Sequence, residues 1–240
     1  MQWYATWFDS PFYHLLYDHR SEEEARGFIR NLLDHLQVPK GSAVLDLACG
    51  SGRHSRQMAQ MGMRVTGVDL SPASITQAKE MSCGGDQYFI HDMRQPFTFG
   101  TFDYILNLFT SFGYFEKEAE HQNVLRHIQH ALNPKGIFVM DFLSAPYVEA
   151  GLVKAETVHK AGIDFHIQRK IERGFIYKEI RFKSKGQDYF FIERVRAYTK
   201  EELGKMFQLA GLELLESFGD YQLQPYQEAL SPRLILTATH

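Results

Sequence analysis

Cysteine is nearly absent from this chain. Its 240 residues include two, Cys49 and Cys83, and no C-x-x-C pair. That scarcity leaves both a disulfide framework and a structural zinc site without support. Long apolar runs are lacking too, with nothing approaching the roughly 18 residues that a membrane-crossing helix requires. Positive charge is not in excess: 26 Lys and Arg stand against 29 Asp and Glu, a formal net charge of −3. A nucleic-acid partner, which would call for a basic stripe, is therefore not expected. The opening stretch MQWYATWFDSPFYHLLYDHR has no basic segment leading into an apolar one, and Asp9 interrupts it early. It does not read as a signal peptide. These absences point to a reduced, cytoplasmic protein with no membrane partner and one sizeable core.

What is present is strongly patterned. Residues 22–36 place Ala25, Phe28, Ile29, Leu32, Leu33 and Leu36 at helical spacing behind a Ser21/Glu24 capping box. A short apolar run, Ala43–Leu47, then meets a glycine-containing turn and a polar helix over 52–61. The pattern repeats with a strand at Arg64–Val68 and a helix to about residue 82, capped by Ser71 with Pro72 at its first position. Further short strands fall at Gln87–His91, Phe102–Leu108 and Ile137–Phe142. A helix over 116–132 precedes the last of these, broken by Asn133-Pro134-Lys135-Gly136. Buried strands alternating with helices predict an α/β fold with a doubly wound, mainly parallel sheet.

From about 153 to 198 the period changes from 3.6 to 2. Ile163, Phe165, Ile167 and Ile171 alternate with polar residues, and turns at Glu172–Gly174 and Ser184–Gln187 divide the stretch into three strands. This is a small antiparallel β insertion. A helix capped by Thr199 and Glu202 and stopped by Gly211 follows, then strands at 212–218 and 233–239. The expected organisation is a core of residues 1–150 and 199–240 with an N-terminal lid segment, and an insertion of residues 151–198 covering the active site.

Chemistry concentrates in VLDLACGSGRH, residues 44–54. Glycines at a strand end let the backbone approach a ligand closely, with the N–H groups of the next helix facing it. The third position of a dinucleotide fingerprint, G-x-G-x-x-G, is Ser55 here. Asp46, four residues before Gly50, would repel a pyrophosphate but suits a ligand carrying an ammonium and a sulfonium group. Asp69, 19 residues after Gly50, falls where a doubly wound fold places the acid that takes ribose hydroxyls. Asp92 stands one strand further on, where an adenine edge would lie. Together these outline an adenosine site without phosphates.

The sequence resembles the class I S-adenosylmethionine-dependent methyltransferases. LDLACGSG is similar to that family's first motif, VTGVDLS to the segment with the ribose acid, and FIHDM to the one with the adenine-side acid. FDYILNLFTSFGYF and NPKGIFVMDF resemble the fourth- and fifth-strand motifs, so the likeness covers roughly residues 40–142. It implies a seven-stranded Rossmann-like sheet, S-adenosyl-L-methionine as cofactor and S-adenosyl-L-homocysteine as product. The branch it suggests is that of small bacterial members, many of unassigned substrate. Carried over by position, Gly50 and Gly52 would line the methionine part, with Asp46 and Ala48 at its amino group. Asp69 would bind the ribose and Leu70 lie beside the adenine. Asp92 and Met93 would hold the adenine edge and face. The Asn107 backbone, with Leu108 and Phe109, would flank the sulfonium.

The expected reaction is methyl transfer to a small-molecule N or O acceptor by in-line displacement, in a monomer or homodimer. Two alternatives are an NAD(P)-dependent oxidoreductase and a cofactor-sensing module without turnover. Tyr13, His14, Tyr17 and Tyr114 are candidates for acceptor contact, while no general base is evident. The N-terminal aromatics Trp3, Tyr4, Trp7, Phe8, Phe12, Tyr13 and Tyr17, in a segment read as irregular, form either a lid over the cofactor or simple packing against the sheet. His14, Asp18 and His19 have no second ligand cluster, and no metal is assigned. His54 stands either near the cofactor's carboxylate end or on the helix surface. His121, His127 and His130 read as solvated. Cys49 reads as a small side chain in a crowded turn, and Asp141 as structural. The basic residues of the insertion, Lys170, Arg173, Lys178, Arg181, Lys183 and Lys185, are diluted by Glu172, Glu179 and Asp188 and read as a solvated face.

Overall fold

The computed structural model describes residues 2–17 and 22–240; Ser21 of the expected capping box, and Asp18 and His19, lie outside the described residues. The N-terminal aromatic segment is not irregular. It forms two short helices, α1 (Trp3–Trp7) and α2 (Pro11–Leu16), followed by α3 (Glu22–His35). Ser10 caps α2 by accepting from Phe12 N at 3.2 Å, with Pro11 at the first helical position.

Five runs form parallel strands: β1 (Ala43–Leu47), β2 (Arg64–Asp69), β3 (Asp86–Ile90), β4 (Phe102–Asn107) and β5 (Leu132–Leu143). Between them lie α4 (Arg53–Gln60), α5 (Pro72–Glu80) and α6 (Glu118–Ala131). The expected break at 133–136 sits inside β5 as an irregularity of register, because Leu132 already pairs with Phe102 before Ile137 pairs with Tyr104. After α7 (Ala145–Ala150) come β6 (Ala155–Lys160), β7 (Ile163–Glu172), β8 (Phe175–Ser184) and β9 (Gln187–Arg196). These make one antiparallel sheet of four strands rather than three. The polar β6 pairs along β7 with an exposed, apolar-poor sequence, which is why alternation alone does not reveal it. The helix α8 (Lys200–Leu209) and strands β10 (Glu213–Phe218) and β11 (Arg233–Thr239) follow.

The main sheet has seven strands in the order β10–β11–β5–β4–β1–β2–β3, with β11 antiparallel to both of its neighbours. Alternate residues feed two cores, as the period of 2 dictates. Leu45, Leu47, Phe138 and Met140 pack with Val124, Leu125 and Ile128 of α6 and with Leu203 and Phe207 of α8. Val44, Val65 and Val139 pack on the opposite face with Phe28, Ile29, Leu32 and Leu33 of α3 and Met58 of α4. A third cluster joins Trp7 and Leu16 of the N-terminal helices to Phe165, Ile167, Ile180 and Phe182 of the four-stranded sheet.

One histidine departs from expectation. His121 is 2% exposed and ringed by Phe112, Phe115 and Tyr198. Burial holds its imidazole down to about 4, and its Nε2 accepts from Phe115 N at 3.2 Å, so it is a neutral core residue. His127 is half-buried, and His130 is exposed. Among the described residues no helix is long and apolar enough to cross a membrane.

Candidate functional site

In a doubly wound sheet, ligands bind outside the carboxyl ends of the strands where the chain reverses its winding. Here that point lies between β1 and β4, and a cavity of about 720 Å³ opens there. Its size falls in the roughly 300–1,000 Å³ range of small-molecule sites. Its walls come from the loops after β1, β2, β3 and β4; the N-terminal helices with Tyr17; Arg169, Ile176, Lys178, Glu193 and Val195 of the four-stranded sheet; and, at the margins, residues such as Arg56 of α4, Val148 of α7 and Arg233 of β11.

The loop after β1 turns through three left-handed residues, Ala48 (φ 62°), Gly50 (φ 56°) and Gly52 (φ 78°). Its backbone is fixed by Cys49 N donating to Val68 O and Gly52 N to Cys49 O, both at 3.0 Å. At Gly52 glycine is also a steric necessity, since a Cβ there would stand 2.6 Å from the Tyr88 hydroxyl. Cys49 packs with Ile75, Ala78 and Tyr88, and burial pushes its thiol up, which suits a packing role.

Asp46 is 1% exposed yet borders the cavity, and its Oδ2 accepts from the Ser55 hydroxyl at 2.5 Å. Loss of water raises its carboxyl to about 6, against the opposing hydrogen bond from Ser55. Ser55 therefore does more than fill a glycine position: it is the donor that holds this buried acid. Asp69 is half-buried at the end of β2. Its Oδ2 accepts from Gly50 N and its Oδ1 from Ser71 N, each at 2.8 Å, so one carboxylate braces two ligand-facing loops. Burial raises its carboxyl as well. Asp92 behaves differently. Burial alone would raise it, but Arg94, which donates from Nε to both of its oxygens, outweighs burial and holds it below the usual range.

The chain after β4 is strained. Phe109 (φ 61°) and Thr110 (φ 59°) both occupy the left-handed region, which bulky residues avoid. Asp141 of β5 pins them. Its Oδ2 accepts from Phe109 N at 2.9 Å, its backbone O from Thr110 N at 2.9 Å, and its Oδ1 from Arg233 Nε at 2.7 Å. Arg233 also donates to Thr110 Oγ1 at 3.0 Å. Asp141 is thus structural, and the structure it serves is the cavity wall.

Of the expected cofactor residues, Asp46, Ala48, Gly50, Asp69, Leu70, Asp92, Met93, Leu108 and Phe109 line this cavity. Gly52 and Asn107 do not. Gly52 is buried as the first residue of the α4 turn, and Asn107 points its Nδ2 at Leu47 O, 3.0 Å away, tying β4 to β1. Tyr13, His14, Tyr17 and Tyr114 all line the cavity, as does the buried His54. Sequence reasoning passed over Arg233, Glu193 and Lys178. Lys178, placed among solvated basic residues, is a half-buried part of the wall. Its sheet face is that of Ile176 and Ile180, and a charged residue in phase with apolar ones is the signal that marks it. Among the described residues no group of three or more His, Cys, Asp or Glu has metal-binding geometry.

A family profile described as a methyltransferase domain matches residues 44–136. YqeM of Bacillus subtilis (strain 168) is 32% identical over 111 residues, 45% of each chain, so the match spans less than half of that relative's length. The dTDP-3-amino-3,6-dideoxy-alpha-D-glucopyranose N,N-dimethyltransferase of Streptomyces fradiae is 26% identical over 206 residues, 81% of this chain and 77% of its own. The CcbJ methyltransferase of Streptomyces caelestis has the same fold, with a TM-score of 0.78 at 19% identity over 93% of this chain and 94% of that one. These matches give no support to a nicotinamide-dependent oxidoreductase or to a sensing module. The strand-end loop lies within the span of the methyltransferase-domain profile, and the seven-stranded order around it is the Rossmann-like fold that the chain shares with solved S-adenosylmethionine-dependent methyltransferases.

Proposed function

We propose that this protein transfers the methyl group of S-adenosylmethionine to a nitrogen atom of a small-molecule acceptor. One observation carries the reading: a single cavity joins the glycine loop and three strand-end acids to an aromatic wall that belongs to neither. The residues suit the cofactor's chemistry. Asp46, buried and held by Ser55, offers a carboxylate whose ionised form a neighbouring ammonium would favour. Asp69 keeps lone pairs beyond those given to Gly50 and Ser71 for the ribose hydroxyls. Asp92 and Met93 take the adenine side. Ala48, Gly50, Leu108 and Phe109 border the methionine part.

When bound, the cofactor supplies a methyl group activated on a positively charged sulfur. The protein contributes position and dryness. Fixing two reactants in line is worth on the order of 7–11 kcal/mol in favourable cases. The strained Phe109–Thr110 turn, pinned by Asp141 and Arg233, gives the wall that rigidity. Tyr13, His14, Tyr17 and Tyr114 are assigned to acceptor contact, and with Trp3 and Phe8 they keep water from the cavity. A base is needed only where the acceptor arrives protonated. Nitrogen is preferred to oxygen because the Streptomyces fradiae relative, similar over four-fifths of this chain, is named for N,N-dimethylation of an amino sugar.

In this reading residues 1–150 and 199–240 are the catalytic unit with its N-terminal lid, and residues 151–198 cover the acceptor end. The unpaired state of Cys49 and Cys83 supports a reducing, cytoplasmic setting, with the protein acting as a monomer or homodimer. Calorimetric titration with S-adenosylmethionine, S-adenosylhomocysteine and NADH tests the cofactor. Saturable binding of the first two alone is expected, to be followed by S-adenosylhomocysteine production in an amine screen. Binding of NADH alone, or amine-independent inertness despite cofactor binding, would overturn the reading.

A further inference from the structure

The acceptor end of the cavity contains a carboxylate that the cofactor residues do not explain. Glu193 sits on β9, sharing a sheet face with Phe191, whose ring packs 4.6 Å from that of the fully buried Trp7. Its Oε1 accepts two hydrogen bonds, from Trp7 Nε1 and from the Tyr17 hydroxyl, both at 2.7 Å. Both donors are neutral. They fix the carboxylate without cancelling its charge, and its Oε2 makes no hydrogen bond among the described residues.

The surrounding charges sharpen the point. Three arginines on the cavity wall are already matched to carboxylates: Arg56 to Glu22, Arg169 to Glu156 and Arg233 to Asp141. Lys178 stands opposite Glu193 across the β8–β9 pair, and its ammonium donates to the Tyr17 hydroxyl. Glu193 forms no ion pair within 4.0 Å among the described residues. The neighbouring wall is aromatic, including Trp3, Phe8, Tyr13 and Tyr114. Ring faces attract cations, and an oriented carboxylate beside them is the chemistry that selects an ammonium.

We propose that Glu193 determines acceptor specificity: its Oε2 receives the N–H of a basic amine, so that the site takes basic amines in preference to alcohols of the same shape. The assignment rests on the methyl-transfer reading and adds the substrate class to it. Trp7 and Tyr17 are positioning residues, holding Oε1 so that Oε2 is presented.

The test uses protein saturated with S-adenosylhomocysteine, titrated by ligand-observed NMR at pH 7 with cyclohexylamine and with cyclohexanol. The wild type is expected to bind the amine at least tenfold more tightly. In Glu193→Gln, whose amide oxygen still accepts from Trp7 and Tyr17, that preference should fall to within threefold while S-adenosylhomocysteine affinity is unchanged. No amine preference in the wild type, binding of neither probe, or a preference that survives in Glu193→Gln overturns the assignment while leaving methyl transfer intact. The wild-type comparison stands by itself should the variant not fold. Failure of S-adenosylhomocysteine to bind defeats the methyl-transfer reading itself, and this assignment with it.

Discussion

The Asp9 carboxylate, on the turn between α1 and α2, accepts a hydrogen bond from the Ser71 hydroxyl at 2.6 Å and another from Ala73 N at 3.1 Å. It thereby caps α5, where a negative charge is favoured by the helix dipole. Ser71 N in turn donates to Asp69. The N-terminal segment is tied one hydrogen bond away from the acid assigned to the ribose. Hydrogen bonds to charged groups are worth about 1.5–3 kcal/mol. Asp9→Ala should therefore weaken S-adenosylhomocysteine binding by about tenfold in a calorimetric titration, with Asp9→Asn intermediate. Equal affinities would show that the tie is merely adjacent to the site.

Asp69→Asn removes charge and replaces one acceptor oxygen with a donor that faces a backbone N–H, from Gly50 or Ser71. We expect cofactor affinity to fall by tenfold or more, from the lost charge-assisted bonds. The fold should remain cooperative by circular dichroism. Retained affinity in a folded variant would reassign the ribose acid.

The pH response follows from Asp46. Burial raises its folded-state carboxyl to about 6 from an ordinary 3.8, so between these values the folded protein holds more protons than the unfolded chain. The contribution of this group to stability is full below about 4 and is lost as pH rises through 6. Binding of a cationic group beside it has the opposite sense, since it needs the ionised form. Cofactor affinity should drop by up to tenfold per pH unit below about 6, with proton release on binding near that pH. Calorimetry in buffers of different ionisation enthalpy measures that release. If Asp46→Asn shows the same pH dependence, another group is responsible.

Asp141 and Arg233 form a pair in which the acid is 1% exposed. Breaking such a pair strands a buried charge, at a cost of about 3–5 kcal/mol. Asp141→Ala also releases the Phe109–Thr110 turn from its left-handed conformation. At about 2–4 °C per kcal/mol for a chain of this size, the melting midpoint should fall by roughly 10 °C. A shift below about 2 °C would mean that the turn is held by other contacts.

Much of this arrangement is legible in the sequence, for identifiable reasons. The glycine loop and the strand-end acids show because backbone approach and ribose binding demand particular residues at fixed spacing. Strands β1, β2, β4 and the 137–142 run of β5 show because burial on both faces leaves largely apolar runs, whereas β3, at the sheet edge, buries only Tyr88 and shows by its aromatic and β-branched residues. The helix α2 carries the same Ser-Pro start as α5, Ser10-Pro11 against Ser71-Pro72, but its single aromatic-rich turn is too short to show a helical period. His121 was not, because three histidines on one helix look alike until the aromatic pocket around one of them is assembled. The meeting of Lys178 with Glu193 depends on register. Ser184 pairs with Gln187, and each step from that turn adds one residue to either side until 178 faces 193. A slip of β9 by one residue would send Glu193 to the face opposite Lys178.

The walls of the cavity come from separate stretches of chain. In the proposed reading the cofactor side is drawn from residues 46–109, while Tyr13, Tyr17, Lys178 and Glu193 of the other side lie in stretches outside the span shared with the methyltransferase profile. On the proposed assignment, variation in residues 3–17 and 169–195 would re-aim the protein at a new recipient while the cofactor half is inherited unchanged. A library randomised at these positions would sample recipients, with the methyl source held constant.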